Sequence, residues 1–421
     1  MTLIKNAITI AALFLSINGA AQNVNNYLSN HAIDLSKGSQ NLKIKPDSSF
    51  FNHQLFILGE IHGIQKGQDV DYDLVTMLNR EVNLNTYIGE FDFAKAYFLN
   101  QYLKTGNEKL IAEVTEDWVK DNSQWANKEL QNKFKRIRLY NQQVKPNHQL
   151  YFEGIDQIHN PVLVARYLKE VLKAPHLQKI RPSFQPLIAA LTAKNDSLIL
   201  SVSTGLLNDT EFNKQLKAFK EFEMLRFALK NCALKHTERE ALLHSNFADL
   251  YRIRNWKNKK LYAFFGFAHV IQAKANQGKH QSLALRIDRD ENLALKGKVL
   301  SIAMLYVDSK MMIPTFAIPE EWQEKGKRFT AVDQFNHDGP MVEVEGITDF
   351  KAVTKPNTTT LFNLEAAGSP YLRKVLSIKY ADSMLKGQGL LLNEEGKYTT
   401  DYFQYIVLVR NSEATLPIQN E

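Results

Sequence analysis

Four short apolar runs end in side chains that can carry a proton or a negative charge. "FILGEIHG" (56–63) ends in Glu60 and His62, and "NTYIGEFD" (85–92) ends in Glu90 with Asp92 beyond. "YFEGID" (151–156) delivers Glu153 and Asp156, and "FFGFAHV" (264–270) delivers His269. A neutral imidazole can take a proton from water near pH 7. A carboxylate beside it fixes the tautomer and stabilises the imidazolium as it forms. His62 is the candidate base, and Glu60 and Glu90 are candidates to orient and tune it. Glu153 and Asp156 are candidate substrate-binding groups. Two imidazoles and several carboxylates could also hold zinc or manganese, and these residue types alone leave that open. No "GxSxG" serine elbow is present, and the single cysteine, Cys232, sits inside a helical pattern. The pattern therefore favours direct attack by water over a covalent serine or cysteine route.

Each of these residues also has an ordinary structural use. Glu60 could cap a turn, His269 could be a satisfied core histidine, and Asp92, Glu153 or Asp156 could cap a following helix. What sets them apart is their shared position. In open parallel sheets, ligands bind in the crevice beyond the carboxyl ends of the strands. His53, His148 and His159 lie in polar surroundings and read as surface or turn residues.

The elements that must position them follow from periodicity. Strands are expected at 54–59, 85–90, 148–154, 260–266, 298–307, 359–364 and 402–410. Helices are expected at 71–82, 94–106 (with Gly106 as the stop) and 126–144, and 161–255 is almost wholly helical. Short apolar runs alternating with amphipathic ones imply an α/β fold: a mainly parallel central sheet flanked by helices, with a large helical insertion over about 161–255 that shapes the substrate pocket.

Composition bounds the rest. The chain has 421 residues, 44% of them hydrophobic, enough for one large α/β domain. Its 52 Lys and Arg outnumber 45 Asp and Glu for a net charge of +7, but the basic residues are scattered along helical patterns. Solvated helix faces explain them, and nucleic acid is not an expected partner. The start, "MTLIKNAITIAALFLSINGAAQN", reads as a signal peptide over 1–21, cut after Ala21. Its apolar run is about half the ~20 residues that span a bilayer, so stable membrane insertion is not expected. A polar lead-in over 22–50 then precedes the domain at 51–417. The expected product is an exported protein, periplasmic or secreted, acting on a small-molecule substrate without a cofactor.

"LGEIHG", "YIGEFDFAKAYFLNQYLKTG", "YFEGID", "REALLHSNF" (239–247), "FFGFAHV" and the closing "DYFQYIVLVRNSEATLP" (401–417) occur in the order seen in erythromycin esterase-like proteins. The chain resembles that family, whose wider superfamily includes ChaN-like haem-binding lipoproteins and TIKI/TraB-type metalloproteases. The resemblance implies ester hydrolysis with a metal-free histidine base, a role that falls on His62. It matches Glu60 and Glu90 to the family's glutamates, Arg239 to an arginine that could stabilise an oxyanion, and His269 to a late histidine. Three departures stand out: Ile61 alone separates Glu60 from His62 where macrolide esterases carry two residues, Gly266 stands where they carry a first histidine, and the arginine they carry shortly after the first histidine is missing, with Lys66 the nearest cation. The superfamily's other branches keep two alternatives open, a metal-dependent peptidase and a non-catalytic haem- or ligand-binding protein.

Overall fold

The computed structural model describes residues 23–38, 49–234, 238–384 and 389–418. The expected signal segment, 1–21, lies outside them. Among the described residues the central sheet has eight strands: β1 (Ala32–Asp34), β2 (Leu55–Glu60), β3 (Thr86–Gly89), β4 (Tyr151–Gly154), β5 (Leu261–Gly266), β6 (Val299–Val307), β10 (Thr359–Asn363) and β12 (Tyr405–Arg410). Their order is β1-β10-β12-β6-β2-β5-β3-β4. From β12 to β4 all neighbours are parallel, while β10 runs antiparallel between β1 and β12.

Every residue of β2, β5 and β6 is buried, because helices and loops cover both faces of the sheet. Alternation divides the core in two. On β6, Ile302, Met304 and Tyr306 join one cluster, and Ala303, Leu305 and Val307 join the other. An ion pair is buried within the first cluster. Asp71 accepts hydrogen bonds from Lys133 Nζ, from the Tyr87 hydroxyl at 2.7 Å and from the Tyr262 hydroxyl at 2.6 Å.

The chain leaves β2 towards β3 and β4 on one side, then passes from β5 to β6 on the other. The direction reverses around β2 and β5, and in open parallel sheets ligands bind beyond the strand ends at such a point. Helix α2 (Gln65–Val82) follows β2, and α3 (Phe93–Thr105) follows β3 and ends at Gly106 in the left-handed conformation. Next come α4 (Lys109–Lys120) and α5 (Lys128–Gln143). The helical insertion then runs from α6 (Pro161–Val171) through α7 (Arg181–Thr192), α8 (Asp196–Asn208), α9 (Thr210–Leu216) and α10 (Phe222–Ala233) to α11 (Arg239–Ile253).

The lead-in carries a short helix and adds a strand to the sheet. Residues 23–30 form a helix, α1, and β1 extends the sheet with Ala32 opposite Phe362. Three residues are too few to register as a strand in the sequence, and they fold as one because β10 offers an open edge. Two further strand pairs also went unforeseen: β7 (Met311–Pro314) with β8 (Phe329–Val332), and β9 (Val342–Val344) with β11 (Ile378–Tyr380). At the far edge, Asn100 closes β4: its amide accepts from Phe152 N–H and donates to Phe152 C=O, both at 2.8 Å. That blocks addition of another strand.

Candidate active site

Glu60 is the last residue of β2, and its side chain is buried. Its Oε1 lies 2.9 Å from Nδ1 of His62, and its Oε2 accepts from the Gln68 amide at 3.2 Å. Burial pushes the Glu60 carboxyl up, since ionisation is costly away from water. Burial also works against the imidazolium of His62. The Glu60 hydrogen bond and charge, with Glu90, outweigh it and raise His62 above its usual value. The His62 side chain is 28% exposed and rests on the Trp125 ring, with centroids 4.5 Å apart. With Nδ1 taken, Nε2 has no hydrogen-bond partner among the described residues.

Glu90, one residue beyond β3, faces this pair across Gly266. Its Oε2 accepts the Gly266 N–H at 2.7 Å, and its Oε1 accepts from Arg239 Nη2 at 2.7 Å. Burial would raise the Glu90 carboxyl, but His269, His62 and Arg239 together hold it well below the ordinary carboxylate range. Asp92, in contrast, caps α3, accepting from the Ala94 and Lys95 amides at 2.9 and 3.1 Å.

Arg239 opens α11, so the helical insertion supplies a site residue from its last element. Nε and Nη2 grip Asp156 in a fork at 3.0 and 2.6 Å, and Nη1 lies 3.3 Å from Nε2 of His269. Arg239 is thus tied to Asp156 and Glu90, and Asp156 anchors Arg239 with both its oxygens. Planar, bidentate pairing is what a guanidinium does best.

His269 closes the circle from a short turn, Phe267–His269, that packs on the end of β2. Gly59 makes that packing possible, because a Cβ there would meet Val270 Cγ2 at 2.4 Å and Phe267 Cα at 3.2 Å. The His269 ring is buried, with Glu90 Oε1 3.5 Å from Nε2 and Glu240 Oε1 2.5 Å from Nδ1. Burial works against its charge, but the two carboxylates push its pKa up to about 10.

Glu60, His62, Glu90, Asp156, Arg239 and His269 therefore converge, and Glu153 does not. Glu153 pairs with Arg254 at 2.6 Å in a separate cavity of about 370 Å³, lined by Phe93, Tyr97, Phe152 and Tyr167. Adjacent side chains on a strand point to opposite faces, and Glu153 points away from the rim. Sequence reasoning missed Glu240 and Trp125. Glu240 sits beside Arg239 in "REALL", but no strand end marked it. Trp125 lies in an unremarkable "SQWAN" ahead of α5.

Cys232 is buried in α10, and burial pushes its thiol up to about 12, so it serves packing and not nucleophilic attack. Among the described residues no three His, Cys, Asp or Glu side chains form a set that could hold a metal ion. No helix among them is long and apolar enough to cross a membrane.

No family model and no curated protein matches the sequence. Solved structures do match the fold. A protein from Bacillus cereus superposes with a TM-score of 0.65 at 15% identity, over 95% of this chain and 99% of that one. A succinoglycan biosynthesis protein gives 0.62 at 12% identity, over 94% and 98%. An erythromycin esterase mutant in its open conformation gives 0.57 at 13% identity, over 93% and 99%. At these identities it is the fold that is shared, and the chain has an erythromycin esterase-like α/β fold.

Proposed function

We propose that this chain is an exported hydrolase of esters or related bonds, with His62 as the base that takes a proton from an attacking water. The observation that carries the reading is the Glu60–His62 pair. A buried, hydrogen-bonded carboxylate holds Nδ1 at 2.9 Å, which leaves Nε2 as the basic nitrogen of a partly exposed ring. The point where a Gly266 side chain would begin is 3.4 Å from His62 Nε2 and 3.6 Å from Glu90 Oε2. Both polar atoms face the same small space over Gly266, and the attacking water is placed there. The water oxygen attacks the acyl carbon as its proton passes to Nε2. The bond to the alcohol oxygen then breaks, and the leaving oxygen takes that proton from Nε2, which restores the neutral base. Arg239 and the His269 imidazolium supply positive charge against the negative charge that develops at the acyl oxygen. The fold shared with an erythromycin esterase supports the same reaction class.

The test is a screen of small esters and lactones, followed by His62→Ala on the best hit. General-base help is worth about 10²–10⁴ in rate, and that loss is expected with the fold intact by circular dichroism. A chelator should leave turnover unchanged. Undiminished activity in His62→Ala would remove the base from the mechanism and end the proposal.

A further inference from the structure

The two imidazoles of the site are set up differently. His62 has one carboxylate partner and one open nitrogen, whereas His269 has a carboxylate on each side and is 8% exposed. The carboxylate at Nδ1 belongs to Glu240, in the first turn of α11, next to Arg239. That first turn favours negative charge. Glu240 is largely buried, and among the described residues neither its Oε2 nor His269 Nδ1 has a hydrogen-bond partner, so the two groups meet as a close ion pair through Oε1. A carboxylate left in that condition needs a compensating charge close by, and the His269 ring is 2.5 Å away.

We infer that Glu240 is a positioning residue for the reaction: it holds a proton on Nδ1 of His269, keeps that ring an imidazolium, and turns the Nε2 proton towards Glu90. The inference rests on the hydrolytic reading for its effect on turnover, but not for its effect on His269 itself. The charged and titratable groups facing His269 are Glu90 from the end of β3, Arg239 and Glu240 from α11, and His62 from beyond β2. Glu90 also raises His269, but it is shared with Arg239. Glu240 is the carboxylate given over to His269. The two histidine–glutamate pairs thereby take opposite parts: Glu60 prepares His62 to accept a proton, and Glu240 stops His269 from losing one. Consistent with this, the two carboxylates push His269 up to about 10.

The experiment is Glu240→Gln, with Glu240→Asp as the conservative variant. Two readouts are followed: the pH profile of kcat/KM on the best ester, and the NMR titration of the His269 ring, assigned by its loss in His269→Gln. In the wild type, activity falls at high pH as His269 loses its proton. In Glu240→Gln that fall should begin at least one pH unit lower, so activity at pH 9 drops to about half or less of its value at pH 7. The His269 titration should move down in step, and Glu240→Asp should restore part of both. A folded Glu240→Gln with an unmoved His269 titration overturns the inference. If Glu240→Gln does not fold, wild-type His269 titrating at an ordinary histidine value overturns it equally. If no ester is turned over, the NMR arm still decides the Glu240–His269 link, and only the hydrolytic reading fails.

Discussion

A single methyl group at Gly266 tests the proposed water position. Gly266 has φ −58° and ψ 148°, which any L-residue adopts, so alanine brings no backbone strain. Its Cβ would stand 3.4 Å from His62 Cε1 and Nε2 and 3.6 Å from Glu90 Oε2, at ordinary contact distances, so nothing need move. The Gly266 N–H bond to Glu90 at 2.7 Å uses backbone and survives. Replacing glycine by alanine at a compatible position adds about 0.4–1 kcal/mol of stability by restricting the unfolded chain. The methyl nevertheless fills the space where the attacking water is placed. Gly266→Ala should therefore be as stable as the wild type or slightly more so, while kcat falls by about 10²–10⁴, the value of general-base help. Thermal melts and steady-state kinetics on the same preparation separate the two effects. A variant that melts normally and keeps the wild-type kcat would show that water does not attack from between His62 and Glu90.

Glu60→Gln should lower kcat and shift the acid limb of the pH profile. His62 lies above its usual value because of Glu60 and Glu90, and as a base it loses activity when pH falls through that raised value. Without the Glu60 charge the limb should move to lower pH; a limb that stays in place would mean Glu60 does not tune His62. The exported form of the chain should begin at Gln22, and mass spectrometry of protein recovered outside the cytoplasm checks this. An intact Met1 on that form would count against a cleaved signal.

The strands that frame the site were legible in the sequence because parallel strands buried on both faces must be continuous apolar runs. "LFILGE", "LYAFFG" and "VLSIAMLYV" have that character. Glu60, His62, Glu90 and His269 were legible for the same reason: a polar group directly after such a run has to lie at the rim. Pairing between distant segments was not legible, because nothing local encodes it. Glu240 comes within reach of His269 only because α11 returns the chain to the sheet after the helical insertion, and Asp156 meets Arg239 across 83 positions. Glu153, two residues from the rim, looked equivalent to Asp156, but the alternation of β4 sends it to Arg254 and a different cavity. The three residues of β1 carry no strand signal of their own, and the open edge of β10 decides their conformation. Residue types and their distance from a strand end set which groups could do chemistry. Which of them touch, and therefore which can hold or give up a proton, was decided by helix placement and strand facing, and these exist only in the folded chain.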